Sequence, residues 1–191
     1  MKLIIASNNK HKIYEIKNIL GSRFEEILSL REAGIDHETV EDGTTFMENA
    51  IKKASEIAEI SGCAALADDS GITAHALGDR PGLYSARFSG EHGNDSENNA
   101  LLLKLRADKE DKGAHYTCAM ALVYPDGREV TAEGYMYGHI ISEGRGSAGF
   151  GYDPIFVPEG ELRTVAEMTD EEKNAISHRA SALSLLLEKL K

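Results

Sequence analysis

Residues 115–124 read HYTCAMALVY. Tyr116, Cys118, Met120, Leu122 and Tyr124 alternate here with Thr117, Ala119, Ala121 and Val123. Successive strand residues point to opposite faces, and the second set is small rather than polar. The spacing therefore predicts an inner strand covered on both faces. Tyr124-Pro-Asp-Gly127 predicts a hairpin turn, with proline pre-set for the first central position and glycine closing it. The strand pattern then continues to Ile140.

Elsewhere short strands alternate with helices. Lys2–Ala6 predicts a strand and SNNKHK a polar turn, after which Ile13, Ile16 and Leu20 fall at helical spacing up to Gly21. Thr45 and Glu48 match a capping box, with Phe46, Ala50, Ala54, Ile57 and Ala58 along one helix face and Gly62 closing it. Cys63–Ala67 predicts a buried strand leading to Asp68, and Asp95 a cap for a helix carrying Leu101, Leu102 and Leu105. A last strand, Pro154–Val157, precedes a second capping box at Thr169–Glu172. Ser177 then predicts the cap of a helix bearing Ala180, Leu183, Leu187 and Leu190. These units predict a single α/β (mixed α+β) domain over residues 1–191, with a mixed sheet and flanking helices.

The net charge of −11 opposes broad electrostatic binding to nucleic acid or an anionic membrane. No apolar run approaches a membrane span, and MKLIIASNNK turns polar too soon for a signal peptide. Cys63 and Cys118, in no metal-binding spacing, suit a reducing compartment, so a cytoplasmic location is expected. A small anionic ligand stays compatible where basic groups converge or a divalent metal neutralises both partners.

Four constellations can carry chemistry, and each also has a plain structural reading. SNNKHK (7–12), between a strand and a helix, offers helix N-terminal N–H groups, small donors and two lysines to a phosphate; it also reads as a solvated capping turn. Glu41 is set against Asp68-Asp69, and a hard ion such as Mg2+ takes a few carboxylate oxygens plus waters and phosphates. In an extended segment the two aspartates point to opposite sides, so one of them shares an ion with Glu41, with Lys53 a counter-charge. The alternative is a turn or loop decorated with acids. GRGSAGFGYDP (144–154) can bring backbone close to a ligand while Phe150 stacks on a base, or it can turn a corner with Phe150 in the core. Lys173, His178 and Arg179 gather at a helix junction, where a bound anion or carboxylate would relieve unfavourable dipole contacts.

TFMENA (45–50), ADDSG (67–71), PGLYSAR (81–87), GFGYDPIF (149–156), AEMT (166–169) and EKNAISHRA (172–180) follow SNNKHK in order along nearly the whole chain. The set resembles the inosine triphosphate pyrophosphatase family. That resemblance implies an elongated mixed sheet with two lobes around a central cleft, a homodimer, and Mg2+-dependent hydrolysis of ITP, dITP and XTP to monophosphate and pyrophosphate. It implies that Ser7, Asn8, Asn9, Lys10, His11 and Lys12 hold the triphosphate. Glu41 and Asp69 would ligate the metal, with Asp69 also accepting the proton of the attacking water. Ser70 would contact substrate, Phe150, Gly151, Tyr152 and Asp153 would hold the base, and Lys173, His178 and Arg179 would complete recognition. A nucleotide sensor without catalysis is the rival reading, and it has no use for Glu41 and Asp69.

Overall fold

The inner strand foreseen at 115–124 is the fourth of a six-stranded sheet. The computed structural model describes residues 2–21, 23–90 and 93–191. The strands are β1 (Lys2–Ile5), β2 (Glu26–Ser29), β3 (Ala64–Ala74), β4 (Gly113–Val123), β5 (Glu129–Ile140) and β6 (Phe156–Pro158). Their order is β2-β1-β3-β4-β5-β6. β1 runs parallel to β2 and β3, while β6 is antiparallel to β5, so the sheet is mixed as expected. The α-helices among the described residues are α1 (Lys10–Leu20), α2 (Phe46–Ser61), α3 (Asp95–Arg106), α4 (Asp170–Ile176) and α5 (His178–Glu188).

The chain divides into two compact units. The first comprises Met1–Asp69, Cys118–Gly134 and Arg179–Lys191. Alternation in its strands builds two apolar layers. Leu3, Ile5, Leu66, Cys118, Met120 and Leu122 pack with Ile16 and Leu20 of α1 and with Ala182, Leu183 and Leu186 of α5. The opposite set, Ile4, Ala65, Ala67, Ala119, Ala121 and Val123, packs with Ala50, Ala54, Ile57 and Ala58 of α2. The small side chains of β4 thus face an alanine-lined helix, which explains why that face needed no bulk. Gly127 N donates to Tyr124 O at 2.9 Å, closing the turn into β5.

The second unit comprises Ser70–Thr117 and Tyr135–His178. Its core joins Ile72, Leu102, Ala114, Tyr116, Met136, Ile140, Tyr152 and Phe156. Buried Arg106 at the end of α3 donates to Ile140 O at 2.8 Å.

Four expectations need correction. β3 does not stop before Asp68 but runs through both aspartates to Ala74, because each carboxylate meets a cation or amide described below. β2 has no counterpart in the sequence reading; its four residues are too short for a period to declare itself. Asn94, not Asp95, caps α3, with Oδ1 accepting from Glu97 N at 3.2 Å. The last strand begins at Phe156, since Asp153–Ile155 forms a 3-10 turn.

Candidate active site

In the first unit, Asp68 and Asp69 sit side by side on β3 and face different partners, as strand alternation requires. Asp68 is only 1% exposed. Its Oδ2 lies 3.0 Å from Lys12 Nζ and 3.0 Å from Arg179 Nη2. Arg179, also 1% exposed, sends its other terminal nitrogen to Glu15 on α1. Burial pushes the Asp68 carboxyl up, but Lys12, Arg179 and Lys53 outweigh it and hold Asp68 below the usual carboxylate range. Arg179 is kept charged: burial opposes its charge, and Asp68 leads the groups that overcome this.

Asp69 has a different setting. Its Oδ2 accepts from Asn49 Nδ2 at 2.9 Å, and its Oδ1 lies 3.8 Å from Lys53 Nζ. Lys53 also donates to Glu41 Oε1 at 2.6 Å. Asn49 and Lys53 are one turn apart on α2, so the helix that the Thr45–Glu48 box starts presents both on one face. Glu41 lies in the segment before α2, which is tied down by Asp42 to Lys52 at 2.6 Å and by His37 and Thr39 to Glu56 at 2.7 and 2.6 Å. Burial raises the Asp69 carboxyl, with Glu41 adding to the rise and Lys53 and Lys12 opposing it. Lys53 is pushed down by burial, but Asp69, Asp68 and Glu41 together hold it above its ordinary value.

An ammonium placed between Glu41 and Asp69 marks a position where positive charge is favourable, and both carboxylates offer hard oxygen donors. This donor set fits a divalent cation such as Mg2+. Among the described residues no group of three or more His, Cys, Asp or Glu side chains forms a metal cluster. The two carboxylates match the habit of Mg2+, which keeps waters and takes phosphate oxygens to fill its shell.

The 7–12 segment begins helix α1 earlier than expected, at Lys10. Asn9 Oδ1 accepts from His11 N at 3.0 Å and Lys12 N at 3.2 Å, and Ser7 Oγ accepts from Asn9 N at 3.1 Å. Those two helix N–H groups are therefore engaged by Asn9, as the capping-turn reading of this segment has it. Asn8, Lys10 and His11 are exposed, and Lys12 reaches inward to Asp68.

The second unit assembles the other expected residues. Phe150, Gly151, Tyr152 and Asp153 form a turn closed on itself: Asp153 Oδ2 accepts from Phe150 N at 3.0 Å and from Lys173 Nζ at 2.8 Å. The Lys173 ammonium lies 4.7 Å from the centre of the half-buried Phe150 ring. Gly149 has φ of 74°, and a Cβ there would fall 2.2 Å from Asp153 Oδ2, so only glycine fits this closure. Tyr116 of β4 donates its hydroxyl to Asp153 Oδ1 at 3.3 Å and stacks on His178, centroids 4.7 Å apart and planes 12° apart. Ser70 is half-buried and opens this unit, directly after Asp69 in the chain.

The sequence motifs alone do not single out Asn49, Glu15 and Tyr116 as site residues. Asn49 and Glu15 each had a signal: a polar residue one place from the apolar face of an amphipathic helix, beside Ala50 and Ile16 respectively. Tyr116 carries no such signal, since the strand pattern makes it a core residue.

These features define a class: a mixed α/β protein that concentrates carboxylates and cations in one unit and a glycine-rich aromatic turn in the other. More particularly, the chain belongs to the Ham1 family, whose sequence model matches residues 3–189. A Clostridium perfringens protein named dITP/XTP pyrophosphatase is 50% identical over 198 aligned positions, covering 100% of this chain and 97% of the relative. The solved structure of the Staphylococcus aureus Ham1 protein aligns with a TM-score of 0.88 at 36% identity, with 100% of each chain covered. That of the nucleoside-triphosphatase / dITP/XTP pyrophosphatase from Mycobacterium abscessus aligns with a TM-score of 0.79 at 48% identity, covering 98% of this chain and 99% of the other. The expected family resemblance is borne out.

Proposed function

We propose that the protein is a Mg2+-dependent pyrophosphohydrolase of deaminated purine nucleoside triphosphates, ITP, dITP and XTP, releasing the monophosphate and pyrophosphate. The observation that carries this reading is the Glu41–Lys53–Asp69 arrangement, in a chain 50% identical to a protein named dITP/XTP pyrophosphatase.

Phosphoryl transfer asks a protein for alignment and charge neutralisation more than for covalent help. Glu41 and Asp69 would hold Mg2+, which when bound draws charge from phosphate oxygens and acidifies water. Asn49 holds the Asp69 carboxylate through Oδ2, and that carboxylate would orient the attacking water and accept its proton. Lys10, Lys12 and Lys53 supply positive charge for the phosphates, while Ser7, Asn8, Asn9 and His11 shape the segment that meets them. Ser70 follows as a further substrate contact.

Phe150 gives the base a stacking face, and Gly151, Tyr152 and Asp153 border it. Hypoxanthine and xanthine carry a carbonyl at C6 where adenine carries an amine. The Lys173 ammonium and the His178 ring can donate to a carbonyl, and donors so placed reject the amine of adenine. Arg179 is already committed to Glu15 and Asp68, so its contribution would be to hold Asp68 and α1 in place. We further expect the enzyme to work as a cytoplasmic homodimer on free nucleotides rather than on nucleic acid or membranes.

Asp69→Asn tests the catalytic assignment against the sensor reading. The expected result is a fall in turnover of at least about a thousandfold with ITP binding within a few-fold of the parent protein. Unchanged turnover would remove Asp69 from the mechanism.

A further inference from the structure

The turn at 150–153 is gripped from outside by one turn of α3. Asp95 Oδ2 accepts from Gly151 N at 2.7 Å, and Asn99 Nδ2 donates to Gly151 O at 3.0 Å. The two side chains are four residues apart and share a helix face. Between them they occupy both backbone polar groups of a residue held at φ 62°.

Neither side chain is explained by its own helix. Asn94 already caps α3, so the Asp95 carboxylate is not needed as the cap. Asn99 Oδ1 is buried and has no hydrogen-bond partner among the described residues. Its NH2 is committed to Gly151 O, and the reverse orientation would set two acceptors against each other. The charge of Asp95 also reaches the neighbouring Tyr152 phenol, where it adds to burial in raising that group above its ordinary value.

We propose that Asp95 and Asn99 are positioning residues for base recognition: they clamp Gly151 and thereby fix the directions of Phe150 on one side and Tyr152-Asp153 on the other. The proposal rests on the reading above that this turn holds the purine. The clamp acts on the turn that meets the base and not on the groups assigned to the phosphates. Loosening it weakens base binding and discrimination while leaving the chemical step in place.

The test combines amide exchange with kinetics on the full chain. In Asp95→Ala, exchange at the Gly151 amide is expected to accelerate at least about tenfold without substrate, while Met120 in β4 stays as protected as before. KM for ITP is expected to rise about tenfold in Asp95→Ala and Asn99→Ala with kcat within about twofold, and the preference for ITP over GTP to narrow. Asp95→Asn keeps an acceptor for the Gly151 N–H and is expected to restore both protection and KM. Unchanged Gly151 exchange in Asp95→Ala would overturn the clamp, whatever the activity. Accelerated exchange with unchanged KM and selectivity would overturn its role in recognition. If the parent protein turns over no purine triphosphate, the functional reading fails, the recognition role falls with it, and Gly151 exchange still decides the clamp by itself.

Discussion

Arg179 shows how single residues set the character of this chain. A fully buried guanidinium is costly unless it is paired, and here Glu15 and Asp68 take its two terminal nitrogens from two elements, α1 and β3. Its fork reaches both carboxylates at once, which a lysine could not do with the same geometry. Replacing Arg179 with Met removes the guanidinium that both carboxylates share and should cost about 3–5 kcal/mol, read by denaturant unfolding. A loss below about 1 kcal/mol would mean the cluster contributes little. Cys118 lies against the same cluster, its thiol pushed up to about 12 from 9.0 by burial first and by the Asp68 charge second. Tyr116 and Tyr152 are likewise raised by burial. For each of these acids the folded form keeps its proton to higher pH than the unfolded form. Stability is therefore full below the unfolded values and should fall as pH rises from about 9 to 12. Urea midpoints across that range check the sign; stability that rose with pH would contradict it.

At the scale of elements, what the sequence declares depends on how locally each signal is written. The capping boxes at Thr45–Glu48 and Thr169–Glu172 and the Tyr124–Gly127 turn are legible because every group involved lies within a few residues. The full length of β3 is not legible because Asp68 and Asp69 look hostile to a central strand until Arg179, Lys12, Asn49 and Lys53 arrive from other elements. Asn94 and Asp95 are both good caps, and the choice between them is made by Gly151, distant in sequence. The join between the 35–44 segment and α2 gives a test at this scale. Gly43 N donates to Asn49 Oδ1 at 2.8 Å, and a Cβ on Gly43 would fall 2.6 Å from that oxygen. Gly43→Ala should displace Asn49 from Asp69, lowering turnover about tenfold or more while leaving helix content unchanged by circular dichroism. Parent-level activity would show that Asn49 does not hold Asp69 for catalysis.

Over the whole molecule, nothing in the composition places the boundary between the two units. The chain crosses between them inside β3, β4 and β5, at 69/70, 117/118 and 134/135, and again at 178/179, so no linker marks the boundary. The candidate site, by contrast, was largely legible, because its residues cluster in short strings. The structure brings Glu41, Lys53 and Asp69 together in one unit and Phe150–Asp153, Lys173 and His178 together in the other. Under the proposed function the first group would serve a metal-associated polyphosphate and the second a flat base, the two parts of a nucleoside triphosphate. The central claim is that this chain hydrolyses such a ligand between its α- and β-phosphates. The most direct measurement is product analysis after incubation with ITP, XTP, GTP and ATP, with Mg2+ and with EDTA. The account predicts monophosphate and pyrophosphate from ITP and XTP, little product from GTP and ATP, and none with EDTA. Orthophosphate release, or no turnover of ITP and XTP with Mg2+ present, would contradict it.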